Sequence, residues 1–544
     1  MSHTTLRCLP LIWTLWLPLT FSLSGSAAGN GTLTEQLRVR IENGAQQGQR
    51  TPAGNHILAE QSLRRFYLQR SFQPAWSDNG SLTTALTELL ASIDAASIQG
   101  LDPADYHQAA LAQLAMPPLG PGQATDLELL ATDAYLLLAS HYLGGRVNPE
   151  QLDPEWRADR RELDLVKHLE QALASDHVGA SLTELLPQQP GYRLLTEQLV
   201  AYRQHLDWPS VPAGPKLETG STGPRVAALR ARLAADGLLA GSNAPQDTFD
   251  STVADAVRAF QAQHGLETDG VVGSDTLAEL NLSRADRARQ IRVNLERWRW
   301  LPNELGRRHL RVNIADYRLE AWQDGQRQID MKVIVGRDYR RTPVFSELMR
   351  YLVLNPRWVV PPSIAVKDKL PQFRKDPASV VAKGFEIYQG WGSDERRIDP
   401  ASIDWRAVNG RSFPYRLVQR PGPQNALGQI KFMLPNKFDV YLHDTPDRQL
   451  FARNQRNFSS GCIRLQRPLD LAVWVLSETP PWNRAQIDRE LASGVEQTVR
   501  LKTPIPVHIQ YWTAWVDDAD QLQLRRDLYG RDKALAAALD QAAP

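Results

Sequence analysis

Cysteine is almost missing from this chain, with two in 544 residues, Cys8 and Cys462. Cys8 lies in a segment that reads as a secretion signal, so a processed chain keeps one. A single cysteine makes no internal disulfide, which excludes the stapled framework common in small secreted domains. An excess of one charge is missing too. Lys and Arg number 62 against 61 Asp and Glu, for a net charge of +1. Bulk attraction to nucleic acid or to an anionic membrane surface is therefore excluded. After the first thirty residues no apolar run reaches the roughly 20 residues that span a bilayer.

What is present begins with Arg7, then the apolar "CLPLIWTLWLPLTFSL" broken by Pro10 and Pro18, then the small residues "SGSAAG". This order predicts a signal peptide over 1–28, cleaved after Ala28, and a periplasmic location. Retention as an N-terminal membrane anchor is the other reading, and the shortness of the run counts against it. Cys8 precedes the apolar run, which argues against a lipid-modified cysteine. In an oxidising compartment a lone thiol is either reactive or a small buried hydrophobe.

The length suits about three domains, and the patterning predicts a multidomain α+β chain. Residues 31–212 read as a helical N-terminal scaffold. "SLTTALTELLASI" places Leu82, Leu86, Leu89, Leu90 and Ile93 on one helical face, and "DLELLATDAYLLLASHYLGG" is a more apolar helix ending at a Gly pair. "WPSVPAGPKLETGSTGP" (208–224) reads as a linker. Residues 216–282 form a small three-helix unit. Val226, Leu229 and Leu233 share one face, Val253, Val257 and Phe260 another, with Asp250 or Ser251 as cap and a turn at Asp269-Gly270. Residues 283–302 connect onward as an amphipathic helix whose Trp298 and Trp300 suit a domain interface. From 308 to 516 the period becomes two, with a hairpin at "QDGQ". Within that mostly-β domain, 361–427 is rich in Pro, Gly and charge and reads as a lid-like insertion. The stretch "PVHIQYWTAWVDD" followed by "QLQLRRDLYG" suggests a last hairpin, and 517–544 a C-terminal tail.

Chemistry concentrates in "YLHDTPDRQLFARNQRNFSSGCIRLQRP", 441–468. A cysteine nucleophile needs a base and donors for an oxyanion. His443 ends a strand nineteen positions before Cys462, close enough for a loop and a return to bring them together. Gly461 lets backbone approach a substrate, and the Gly461 and Cys462 amides are candidate oxyanion donors. Arg464 supplies charge that favours a thiolate or grips a carboxylate. Tyr441 and Trp358 are either walls of a thiol pocket or core aromatics. Asn425 is either a substrate contact or a turn brace. His264 and His508 read as structural. Asp444 and Asp447 beside His443 make an incomplete metal set, so no metal is expected. No cofactor is expected. No Ser-x-x-Lys occurs, and "KTP" at 502 stands where Lys-Thr-Gly would need glycine, which argues against a serine penicillin-binding enzyme.

The segments "GSTGPRVAALRARL", "FDSTVADAVRAFQAQHGL" and "DGVVGSDTLAEL" resemble the three-helix peptidoglycan-binding module of wall enzymes. His443, Ser459, Gly461, Cys462, Ile463 and Arg464 resemble the catalytic motif of the L,D-transpeptidases, cysteine enzymes of bacterial wall synthesis. "LNPRWVVPPSIAVKDKLP", "QNALGQIKF" and "YWTAWVDD" resemble the large multidomain branch of that family. Many members have histidine where this chain has Ser460, which leaves a second imidazole without a counterpart here.

The resemblance implies that Cys462 attacks the third-residue carbonyl of a tetrapeptide stem, releases D-Ala, and passes the acyl group to a side-chain amine as a 3→3 cross-link. It implies that His443 moves the proton and that the backbone carbonyl of Asp444 orients it; an alternative is the Asp444 carboxylate. Ser459, Ser460, Arg464, Tyr441, Trp358 and Asn425 would contact substrate, and 361–427 would be the lid. Partners would be peptidoglycan stems as donor and acceptor, with wall-synthesis proteins alongside and no nucleic acid. An L,D-carboxypeptidase using water, and an inactive wall-binding scaffold, are the rival readings; retention of both Cys462 and His443 argues against the second.

Overall fold

The computed structural model describes residues 27–44, 54–78, 81–116, 119–157, 160–204, 207–240, 246–390 and 392–541. Nearly all of the expected signal segment, residues 1–28, falls outside them. Among the described residues no helix is long and apolar enough to cross a membrane.

The N-terminal part is helical apart from a short hairpin, β1 (Ser77–Asp78) and β2 (Ser81–Leu82). Its centre is helix Pro121–Gly144, with proline at the start and the Gly144-Gly145 pair at the end. Leu127, Leu130, Ala134 and Leu138 are buried, and so is Glu128. A carboxylate survives in such a helix only where donors converge on it. Glu128 accepts from the Ala75, Trp76 and Ser77 amides and from the Ser77 and Tyr67 hydroxyls. In helix Thr84–Ala95 the stripe Leu86, Leu89 and Ile93 is buried, and Thr83 caps it by accepting from the Leu86 amide. Leu82 lies in β2 instead, ahead of that cap.

Helices Pro224–Ala235, Ser251–Gln263 and Ser274–Leu280 enclose a separate core of Val226, Leu229, Leu233, Val253, Val257 and Phe260. Asp250 caps the second by accepting from the Val253 amide. The segment 208–224 is no free linker. Val211 is buried in this core, and the Trp208 indole donates to the Leu282 carbonyl with the Arg232 guanidinium 3.6 Å above its ring. Its Pro and Gly content forbids regular structure, not packing.

Helix Arg284–Arg299 opens on a reciprocal Ser283–Asp286 cap. It is not amphipathic in place: Arg287, Arg297 and Arg299 are all buried, paired with Glu279, Asp532 and Glu296. Trp298 stacks on Trp512 at 4.7 Å and Trp300 meets Trp156 edge-on at 5.0 Å. The helix is thus an axle between scaffold and β domain.

Strands β3 (Arg308–Asn313), β4 (Arg318–Gln323), β5 (Gln326–Ile334) and β6 (Phe345–Leu354) follow. β4 and β5 join at Asp324-Gly325, both at positive φ (51° and 75°), the backbone that a two-residue hairpin demands. The 361–427 segment carries most of a folded subdomain. β7 (Trp358–Val359), β8 (Phe385–Gln389), β9 (Arg396–Ile398) and β10 (Tyr415–Gln419) pair in the order β7-β10-β8-β9. Phe373, Phe385, Trp405 and Leu417 give it its own core, with Phe373 stacked on Trp405 at 4.1 Å. The expected lid-like insertion thus has a sheet and a core of its own.

β11 (Ile430–Met433), β12 (Leu442–His443), β13 (Ile463–Leu465) and β14 (Gln497–Gln510) complete a closed barrel in the order β11-β12-β13-β5-β4-β3-β14-β6. Alternate residues such as Leu310, Val312, Leu319, Val333 and Leu442 fill it. A hairpin of β15 (Ala514–Val516) and β16 (Leu522–Leu524) precedes helix Arg531–Asp540. The expected tail is therefore structural: Leu535, Ala536 and Leu539 join the barrel's core, and buried Arg531 pairs with Asp153 of the helical part at 2.7 Å.

Candidate active site

β12 and β13 run parallel, with Leu442 opposite Ile463 and His443 opposite Arg464. The Ile463 amide donates to the Tyr441 carbonyl at 3.1 Å, which sets Cys462 beside Tyr441. Leu442 and Ile463 point into the barrel core, so alternation turns Tyr441, His443, Cys462 and Arg464 to the outer face. On the other side of β12, Lys431 of β11 lies opposite His443. One outward patch therefore holds a thiol, an imidazole, a phenol, an ammonium and a guanidinium, under the insertion.

The loop carrying Cys462 is pinned from three sides. The Ser459 amide donates to Val335 and the Arg337 amide to Ser459. Thr342 donates its hydroxyl to the Gly461 carbonyl at 2.8 Å and accepts from the Gly336 amide. Gly461 sits at φ +115°, where a side chain is strained. Ser459 is buried, accepts from the Gly461 amide at 3.1 Å and donates to the Cys462 carbonyl at 2.6 Å. This corrects two expectations. Ser459 is a brace of the loop, not a substrate contact, and the Gly461 amide is already engaged. Of the three amides from Ser460 to Cys462, those of Ser460 and Cys462 have no protein acceptor among the described residues, which makes them the oxyanion candidates.

The His443 ring is buried, with Nδ1 2.5 Å from the Asp444 carbonyl oxygen. That carbonyl can only accept, so Nδ1 carries the hydrogen and Nε2 is left as an acceptor. Burial and then the Arg464 charge push the imidazole down to about 3 against the opposing Asp444 hydrogen bond, so it is neutral at ordinary pH. The Asp444 carboxylate is occupied elsewhere, accepting from the Gln429 amide at 2.9 Å and from Arg448 at 3.0 Å. Of the two readings of Asp444, the carbonyl is the one in contact.

Cys462 is half-buried. Burial pushes its thiol up, while the Tyr441 amide, Lys431, the Tyr441 hydroxyl and Arg464 pull it back. It also makes a weak contact to the Asp439 carbonyl at 3.9 Å. With thiol raised and imidazole lowered, the resting pair is uncharged. Tyr441 packs edge-on to His443 at 5.7 Å, with Lys431 Nζ 3.9 Å over its ring. Arg464 pairs with Asp447 at 3.0 Å, while its Nε is buried without a protein partner.

Trp358 belongs to the insertion's core, edge-on to Phe385, and touches this patch through the Tyr441 hydroxyl. Ser460 is exposed and accepts from Arg340 at 2.8 Å; Arg340 in turn grips Asp368 of the insertion. Asn425 is buried. It donates to the Pro356, Gln419 and Arg420 carbonyls and accepts from the Leu427 amide, so it braces a turn and is not a substrate contact. Asn425→Ala should cost about 2–3 kcal/mol of stability and lower the melting temperature; a raised KM at unchanged melting temperature would restore the substrate role.

Lys431, Arg340 and Thr342 escaped the sequence reading. Lys431 is one polar position in an alternating strand, and only the register of β11 against β12 gives it a role. Lys431→Met should move the pH profile of Cys462 alkylation by iodoacetamide to higher pH, because a charge favouring thiolate is lost; an unmoved profile would show that Lys431 does not act on the thiol.

Three family models match the chain: a scaffold domain over residues 61–199, a "Putative peptidoglycan binding domain" over 222–280, and an L,D-transpeptidase catalytic domain over 307–507. The barrel, but for the end of β14, lies in the stretch that matches the L,D-transpeptidase catalytic domain. A curated relative from Haemophilus influenzae, named "Putative L,D-transpeptidase", is 35% identical over 249 residues. That match covers 46% of this chain and 49% of the relative, so the chain spans about half the length of the curated relative it matches. Among solved structures, an L,D-transpeptidase from Mycobacterium smegmatis aligns at 14% identity over 38% of this chain and 58% of its own, with a TM-score of 0.18. One from Stackebrandtia nassauensis aligns at 11% identity over 56% and 96%, with a TM-score of 0.21. Likeness at those scores carries no argument. The stretch matched by the L,D-transpeptidase catalytic domain contains Tyr441, His443, Cys462 and Arg464, and the outward patch lies within it.

Proposed function

We propose that the chain is a periplasmic peptidoglycan L,D-transpeptidase that forms 3→3 cross-links through a Cys462 thioester. The observation that carries this reading is the β12–β13 pairing, which puts Cys462 on one face with a neutral His443 whose Nε2 is free to accept a proton. Sγ attacks the carbonyl carbon of the third residue of a donor tetrapeptide, and the thiol proton passes through Nε2 to the departing amine of D-Ala. The Ser460 and Cys462 amides receive the oxyanion. An acceptor side-chain amine then attacks the thioester, and its proton returns through His443 to the sulfur. Burial and then the Arg464 charge hold His443 uncharged, and Arg464 offers Nε toward a stem carboxylate. Residues 222–280 hold the enzyme on the wall, and residues 1–28 direct export.

The test is incubation of the purified chain with disaccharide-tetrapeptide, with products read by mass spectrometry. Cross-linked dimer supports the reading. Tripeptide alone would replace it with L,D-carboxypeptidase activity, and no product would replace it with a wall-binding scaffold. A carbapenem should leave a covalent adduct on Cys462.

A further inference from the structure

Around the barrel from the thiol, beginning at the strand next to β13, lies a cleft of about 650 Å³. Its floor is the outer face of β14, β3, β4 and β5, and its walls are the start of helix Pro190–Gln204, Trp298, and the β15–β16 hairpin. Three features set its chemistry. First, Trp322 and Trp515 face it half-exposed, and Trp512 lines it while stacking on Trp298. Second, Gln510 is only 3% exposed, yet neither Nε2 nor Oε1 has a protein partner, and the buried Trp298 Nε1 also lacks one. Buried polar atoms are normally satisfied, so a donor and an acceptor facing one cleft point to a ligand. Third, the guanidiniums are already matched: Arg311 to Glu320, Arg318 to Asp330, Arg327 to Asp518 and Arg525 to Asp316. His309 is neutral, pushed down to about 4 by burial. Among the described residues that line the cleft, no cation stands free for an anionic ligand.

We propose that this cleft is a second wall-binding site, which takes a strand of N-acetylated amino sugars. A pyranose presents an apolar C–H face to an indole and polar edges to the surroundings, matching amphipathic aromatic walls. An acetamido group presents one N–H and one carbonyl, the complement of the Gln510 carboxamide. A free stem peptide, with its carboxylates, finds no unpaired guanidinium here. The inference rests on the wall-directed reading above for the choice of sugar. With the catalytic patch elsewhere on the barrel, the cleft would hold the strand while stems reach the thiol.

The full-length chain is titrated calorimetrically with the β-1,4 tetramer of N-acetylglucosamine, and with the matching glucose tetramer. The N-acetylated tetramer should bind, and Trp515→Ala and Gln510→Met should each weaken it tenfold or more. Trp515→Ala, at a half-exposed position, should keep the wild-type melting temperature, and both variants should still form dimer from disaccharide-tetrapeptide. No binding, equal binding of the glucose tetramer, or unchanged binding in both variants (which would assign it to residues 222–280) would overturn the inference. Failure of wild-type cross-linking would sink the proposed reaction and leave this titration to be judged alone.

Discussion

Cys462→Ala should abolish dimer formation from disaccharide-tetrapeptide, a loss on the order of 10⁴-fold or more, as for removal of other covalent nucleophiles. Among the described residues Cys462 is the one free cysteine, so no neighbouring thiol stands in. The substitution removes one sulfur from a half-buried position whose contacts are the Tyr441 amide and hydroxyl and a weak one to the Asp439 carbonyl at 3.9 Å. Stability should therefore change by less than about 1 kcal/mol, and melting curves should overlay. Carbapenem adducts should vanish with the activity. Dimer yield equal to wild type would end the cysteine mechanism, since nothing else in the patch is a comparable acyl acceptor at neutral pH.

His443→Gln should lower the rate by about 10²–10⁴-fold, the usual worth of a positioned general base. Glutamine can still donate to the Asp444 carbonyl, so the loop keeps its tie while the proton acceptor is lost. The pH profile separates this role from a packing role. The wild-type imidazole titrates near 3, so its activity should show no acid-side inflection at the ordinary histidine value of about 6.5. In the variant, attack depends on spontaneous thiolate. Because the thiol is raised by burial, residual activity should climb with pH through and beyond the usual thiol range. A variant profile parallel to wild type, merely lower, would mean that His443 acts by packing alone.

Much of this site was legible because its logic is local. A lone cysteine, a glycine before it and a histidine nineteen positions earlier are neighbours in sequence, and the same alternation that predicts a strand puts Tyr441 and His443 on one face. The engaged Gly461 amide was not legible, since whether it points at Ser459 or at substrate depends on a backbone φ of +115°. Asn425 has carbonyl partners at 356, 419 and 420, so brace and ligand contact look alike until the turn closes. The insertion's core draws on Phe373, Phe385 and Trp405, which share no period. Helix Arg284–Arg299 misled for a related reason. Its arginines look solvent-bound because the acid that meets Arg297 lies at Asp532.

That axle helix bears on how such a chain can be inherited. Arg297 is paired with Asp532, and Arg531 with Asp153, so the segments before and after residues 307–507 are braced to each other. A shortened chain ending at 507 would leave Arg297 buried without its carboxylate and open the floor under Leu535 and Leu539. Recombination that swaps residues 307–507 alone would keep those pairs but would have to supply a barrel core that still fits Leu535 and Leu539. Scaffold, barrel and terminal helix are therefore expected to travel between genomes as one block, and the three-helix unit, although it has a core of its own, is tied to that block through the buried Arg287–Glu279 pair.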